Sequence, residues 1–293
     1  MEKIKQTFIN LYTGENFAKK HLLYFLLLLF PALSGTAFNL IDKDNTSATN
    51  GMYGLLGLIF IPFAIPALLT IFGLFLKFIH NKLNDIQDLF PMTDKNCIKQ
   101  GFKATPLFLA WCFYYITFLI FFITFIILSA LCMAQFKDNP SILLIMLGAI
   151  IILLVAMITL SILLAPFVNI IFIKYAKNYE YNRDLFNPLT LIKFMKDIFK
   201  PVFIVALKFL LITFLSNIVL YILFIIAVFV FSVTAYAIGG ENVFNSHFGI
   251  LLIFTGTAIA TWIMSYFQGI ISFAYFDNIT EIYKAKYLEQ NQE

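Results

Sequence analysis

The chain has 293 residues, of which 61% are hydrophobic and 12% charged, about half the charge content of a soluble domain. Apolar stretches longer than the roughly 18 residues that cross a hydrocarbon core recur along the whole length, which excludes a water-soluble globule and makes the bilayer the solvent. The net charge of +4 does not point to nucleic acid, because the basic residues are sorted by segment and not gathered in a patch.

That sorting reports topology. Segments 1–21, 77–103, 174–200 and 277–293, together with Lys208, hold 18 of the 20 basic residues. The short segments 42–52, 135–140 and 239–247 hold Lys43 and Lys137 against Asp42, Asp44, Asp138 and Glu241. Basic loops stay on the cytoplasmic side, so the first set is expected there and the second across the membrane.

In chain order, residues 1–21 form a basic leader with Ile4, Phe8, Leu11 and Tyr12 on one helical face and Lys3, Gln6 and Asn10 on another. Leu22–Phe30 followed by Ala32-Leu33-Ser34 has the outline of a cleaved signal peptide. The leader is too long and too amphipathic for that, and its arrangement returns twice, so Leu22–Ile41 is taken as the first span. The further spans predicted are Tyr53–Phe78, Pro106–Met133, Ser141–Ile173, Val202–Ile238 and Phe248–Phe276. An even count of six returns the chain to its starting side, with both ends cytoplasmic.

Asp88-Leu89-Phe90-Pro91 opens the segment before the third span, where Lys95, Lys99 and Lys103 recur every four residues while Ile98 and Phe102 face elsewhere. Asp184-Leu185-Phe186-Asn187-Pro188 opens the one before the fifth, with Asn187 as N-cap and Pro188 first in the helix. There Leu189, Ile192, Met195 and Phe199 line one face, opposite Lys193, Lys196, Asp197 and Lys200. Each amphipathic segment enters its span through Phe and Lys: Phe17-Ala18-Lys19, Phe102-Lys103-Ala104 and Phe199-Lys200-Pro201. The expected fold is therefore all-α, a polytopic membrane helix bundle in one domain over 1–293. It comprises three tandem units, about 1–80, 81–176 and 177–293, each an interfacial amphipathic helix plus two spans. The repeats are parallel, because each contains two spans.

The DLF-type openers, the basic amphipathic helices and the Pro-kinked even spans, Ile61-Pro62-Phe63-Ala64-Ile65-Pro66 and Leu164-Ala165-Pro166-Phe167, resemble a prokaryotic family. It is the uncharacterised multi-span membrane proteins of the domain-of-unknown-function 4013 kind. The chain is also similar to the membrane domain associated with bacterial glycerophosphodiester phosphodiesterases. The resemblance implies a bacterial inner membrane and supplies no catalytic residue that maps onto a position here.

Catalysis needs a convergent set of acid, base, nucleophile or metal ligands. His21, His80 and His247 are far apart, with His247 placed across the membrane from the other two. Cys97, Cys112 and Cys132 lack metal spacing and read as packing residues. Gly51, Gly54 and Gly57 at the start of the second span, and Gly256 with Ala260 in the sixth, read as sites of close helix contact within the chain or between copies. No enzyme activity and no cofactor are expected.

The polar residues inside the spans are the remaining candidates, because hydrocarbon tolerates them only with a partner or a function. They are Asn169, Asn217 and Gln268, with Lys208 two turns into the fifth span and Asp277 at the end of the sixth. The three amides either line a cavity with the carbonyls freed by Pro62, Pro66 and Pro166 or bond between helices. Lys208 either snorkels to the interface or pairs with Asp277. The function expected is a non-catalytic membrane factor or scaffold, with membrane lipids as partners and other membrane proteins or further copies of the chain as alternatives. The competing reading is a transporter or channel for a small solute or lipid.

Overall fold

The computed structural model describes residues 2–41, 48–86, 90–135, 140–240 and 247–289, which are mostly helical with no strand among them. The loop charges Asp42, Lys43, Asp44, Lys137, Asp138 and Glu241, the opener residues Asp88 and Leu89, and the side chains of Lys3, Cys132 and His247 lie outside the described residues. The helices are α1 (Glu2–Tyr12), α2 (Phe17–Leu27), α3 (Leu29–Asn39), α4 (Ala48–Leu83), α5 (Lys95–Gln135), α6 (Pro140–Asn178), α7 (Pro188–Gly239) and α8 (His247–Lys284).

Four stretches of the described residues are long and apolar enough to cross a membrane: Phe17–Asn39, Gly51–Leu83, Pro188–Ile226 and Leu251–Glu289. The chain is thus all-helical with the character of a multi-pass membrane protein. Helices α5 and α6 run for 41 and 39 residues and contain described apolar stretches at Phe122–Leu131 and Leu147–Ala156.

The helices gather into two compact units, Met1–Phe102 with Ile204–Glu293, and Lys103–Phe203. In the first, α1 buries Ile4, Thr7 and Leu11 along one stripe. Gly14 at φ 144° and Asn16 at φ 57° then turn the chain into α2, a backbone that only Gly, and less readily Asn, adopts without strain. Pro31 has no N–H to return to Leu27 and its ring crowds that carbonyl, which accounts for the break between α2 and α3 at Leu28. Beside the break, the Trp262 indole stacks on Phe25 and its Nε1 donates to the Phe25 carbonyl at 2.5 Å.

Helix α3 turns back on α4 around Ala37, which is packed with Tyr53 and Phe254. Here Gly57 is pressed on the Phe38 ring, where a Cβ would stand 2.9 Å from it, while no atom comes within 4 Å of one built at Gly51. The tighter approach lies elsewhere. A Cβ on Gly73 of α4 would fall 1.7 Å from the Cys97 carbonyl oxygen, and one on Gly101 of α5 1.9 Å from that of Leu69. The opening turns of α5 therefore cross α4 backbone to backbone. Gly269 of α8 makes a similar approach to Tyr24, whereas Gly256 has nothing within 4 Å and makes no close contact with described residues.

In the second unit, the Asp184-Leu185-Phe186 opener is tied down by its backbone. Asn182 accepts from the Leu185 N–H at 3.2 Å, Trp111 Nε1 donates to the Leu185 carbonyl at 3.0 Å, and Tyr114 donates to that of Phe186 at 3.0 Å. Asn187 then caps α7, its side chain accepting from the Leu189 N–H at 3.0 Å, with Pro188 as first helical residue. The regular helix is interrupted at Ile198, where φ is −136° and ψ 25°, three residues before Pro201. The stripe that α7 buries is Leu191, Phe194, Ile198 and Val202. Leu189, Ile192 and Phe199, grouped on one apolar face in the sequence, are exposed flank residues.

Candidate functional site

Of the five candidate residues, Asp277 anchors the most developed polar cluster. It sits near the C-terminal end of α8, almost fully buried, and its Oδ2 accepts a hydrogen bond from the Thr7 hydroxyl of α1 at 3.1 Å. Lys82, in the last turn of α4, places Nζ 2.9 Å from Asp277 Oδ1. Asn278 completes the cluster, donating from Nδ2 to Thr7 Oγ1 at 3.2 Å and to the Ala274 carbonyl at 2.9 Å. About two helical turns further on, Lys284 pairs with Asp85, just past the end of α4. The carboxylate is thus neutralised and hydrogen-bonded, as burial requires, and three helices meet on it.

A second group lies along α2. The His21 ring is stacked between Tyr12 at 4.6 Å and Phe90 at 4.5 Å. Its nitrogens are both engaged, Nδ1 with the Tyr266 hydroxyl and Nε2 with the Leu11 carbonyl, each at 2.9 Å. His21 thereby fixes the end of α1, the DLF opener through Phe90, and α8 to one ring. An imidazole held at both nitrogens and both faces is a packing element.

Deeper in the same unit, Gln268 Nε2 donates to Asn217 Oδ1 at 2.6 Å, linking α8 to α7. For these two amides a bond between helices is formed. Asn169 belongs to the other unit, on the half-buried side of α6. Lys208 is exposed and makes no ion pair among the described residues, so Asp277 takes Lys82 as its partner and not Lys208. Its neighbour Phe209 is buried and packs against Phe8 at 6.5 Å and Tyr275 at 5.6 Å, so α1, α7 and α8 converge there.

Two ion pairs stand in matching positions in the two units. Lys77 reaches Asp94 at 2.8 Å, and Lys174 reaches Asp184 at 3.0 Å. Each lysine lies near the end of a long helix, within Phe75-Leu76-Lys77-Phe78 or Phe172-Ile173-Lys174-Tyr175, and each aspartate lies in the linker that follows. Asp94 also accepts from the Cys97 N–H at 3.0 Å, capping α5. Burial pulls the Asp94 carboxyl upward, but the hydrogen bonds from Lys77 and Cys97, with the Lys77 charge, outweigh it and hold the group below its ordinary value. Burial likewise pushes the Cys97 thiol up.

Thr7, Lys82 and Asn278 were not among the sequence candidates. Thr7 carried a signal, since a polar residue between Ile4 and Leu11 on a buried stripe requires a buried partner. The repeated Phe-x-Lys-aromatic segment carried another.

Among the described residues no three His, Cys, Asp or Glu side chains gather in a metal-holding group. No family model, curated protein or solved structure matches the chain.

Proposed function

We propose that the chain crosses a bacterial inner membrane six times, with α5 and α6 as the third and fourth spans and both ends cytoplasmic. At about 1.5 Å per residue, either helix is far longer than the roughly 30 Å hydrocarbon core. The three tandem units, about 1–80, 81–176 and 177–293, are supported by one recurring contact. The opening of α5 lies on α4 at Gly73 and Gly101, that of α7 on α6 through Phe167 and Phe199, and α1 on α8 through Thr7 and Asp277. Each interfacial helix then leans on the pair of spans before it, and the first helix on the last pair.

Within that architecture the protein serves as a non-catalytic membrane factor, a scaffold contacting lipid or other membrane proteins. The observation that carries this reading is α7, whose membrane stretch exposes Leu210, Phe214, Leu215, Val219, Ile222 and Leu223, more than half of the way round the helix. Few side chains of that apolar stretch are buried by the rest of the chain. A helix that is apolar on most sides takes its solvent from lipid or a partner helix, and the one amide inside it, Asn217, is already paired with Gln268.

The test is purification in mild detergent, with mass spectrometry of every protein, lipid and small molecule retained in near-stoichiometric amount. A membrane-protein partner supports the scaffold. A polar solute retained without one overturns it in favour of a transporter or channel, and makes Asn169, Asn217 and Gln268 the residues to replace next.

A further inference from the structure

Two segments that lead into long apolar helices present the same three-sided arrangement. On α5, Cys97, Gly101, Ala104 and Leu107 face the protein. Lys95, Lys99 and Lys103 are exposed, with Ile98 and Phe102 exposed beside them, Phe102 to 68%. On α7, Leu191, Phe194, Ile198 and Val202 are buried, and Lys193, Lys196 and Lys200 are exposed, with Asp197 exposed among them so that the face keeps an excess of two positive charges. Beside those lysines stand Leu189 at 66% and Ile192 at 61% exposure. None of the six lysines makes an ion pair or side-chain hydrogen bond among the described residues, and the nearby Asp94 and Asp184 are taken by Lys77 and Lys174.

In water this arrangement is unfavourable twice over. Like charges one turn apart repel, and large apolar side chains are left wet. Both penalties reverse at the boundary between anionic headgroups and acyl chains, where ammonium groups meet phosphates and the apolar side chains are immersed. Placement agrees: Phe102-Lys103 and Phe199-Lys200 come just before Pro106 and Pro201. The interruption at Ile198 lets residues 188–197 run in a direction of their own. An acidic protein surface would match the lysines but leave Phe102 and Ile192 without a counterpart at the same height.

We infer that these two faces bind anionic phospholipid, its phosphate on Lys95, Lys99 and Lys103 or on Lys193, Lys196 and Lys200, and its upper acyl chain against Ile98 and Phe102 or Leu189 and Ile192. The inference rests on the membrane-spanning reading above.

The full chain is reconstituted into mixed phosphatidylcholine and phosphatidylglycerol bilayers, and the lipids released with it into native mass spectrometry are counted. The wild type is expected to enrich phosphatidylglycerol over its bulk fraction, less so at high salt. K95Q/K99Q/K103Q and K193Q/K196Q/K200Q each lower the enrichment by about half, because each leaves the other face intact, the variant that combines all six removes it, and Phe102→Ser weakens it at constant charge. Since these side chains are exposed, the variants should keep wild-type helicity and elution volume, and the salt series on the wild type stands whether or not they do. No enrichment by the wild type, or full enrichment by a folded six-fold variant, overturns the inference. A chain that is stripped from vesicles by carbonate instead fails the membrane-spanning reading itself, so the two failures are distinguishable.

Discussion

Thr7 and Asp277 are 270 positions apart in the chain and 3.1 Å apart in space, so the first helix is held by the last. Lys82 neutralises the same carboxylate at 2.9 Å. Removing one member of such a set leaves the others buried without a partner, which costs more than the contact itself contributes. Lys82→Met is expected to destabilise the protein by about 2 kcal/mol. That is below the roughly 3–5 kcal/mol of a fully buried pair, because the Lys82 side chain is 24% exposed. Thr7→Val should cost about 1 kcal/mol. Hydrogen exchange across residues 2–12 is the readout: both variants should speed it while leaving α5 and α6 unchanged. K82M/D277L, which removes both charges, should recover part of the loss. Equal exchange in wild type and Lys82→Met would rule out the fastening role.

The α4–α5 crossing makes a sharper demand. A methyl group on Gly73 or Gly101 meets backbone carbonyls at 1.7 and 1.9 Å, and backbone cannot step aside as a side-chain tip can. Gly73→Ala and Gly101→Ala should each lower stability by about 3 kcal/mol, at the upper end of overpacking penalties. Gly256→Ala, with nothing within 4 Å, should be neutral or slightly stabilising. Thermal unfolding in detergent distinguishes them.

These glycines also show where a sequence becomes unreadable. Gly51, Gly54 and Gly57 attract notice by spacing, yet only Gly57 is pressed against a neighbour, while Gly73 and Gly101 stand alone in sequence and meet across two helices. Spacing reports one helix, and a crossing belongs to two. The same limit applies to α7. Its N-cap at Asn187 and Pro188 was legible because capping is local, and the amphipathic character of Leu189 to Lys200 was legible from periodicity. Which apolar stripe faces the protein was not, since Leu191, Phe194 and Ile198 are buried against elements that periodicity does not contain. Asn217 and Gln268 were identifiable as polar residues at membrane depth, and their bond to each other depended on how α7 and α8 are rotated.

That bond is open to a double-mutant cycle. Gln268→Leu strands the Asn217 amide in an apolar setting, and Asn217→Leu does the same to Gln268. Replacing both leaves nothing unsatisfied. Interhelical polar pairs in membranes contribute about 0.6–2 kcal/mol, so each single change should cost about 1 kcal/mol and the pair should cost less than the sum of the two. Additive costs would mean that the 2.6 Å contact carries no coupling.

The Lys77–Asp94 pair predicts a pH dependence of definite sign. Asp94 is held below its ordinary value of 3.8 in the folded chain, so folding favours the ionised form. The stabilisation it confers is fully present above the unfolded value and is lost as pH falls through the lower folded one. Because the Asp94 side chain is 39% exposed, solvent screens the pair and the effect is small. The difference in thermal stability between the wild type and Asp94→Asn should therefore hold steady from about pH 7 to about pH 5 and close below the ordinary carboxylate range. The same substitution removes the carboxylate charge that caps α5 beside Cys97, whose thiol is fully buried. Alkylation of Cys97, negligible in the folded wild type at neutral pH because reaction needs the thiolate, should become measurable in Asp94→Asn as the first turn of α5 loosens. A gap that instead widened on acidification would reverse the sign assigned to the pair.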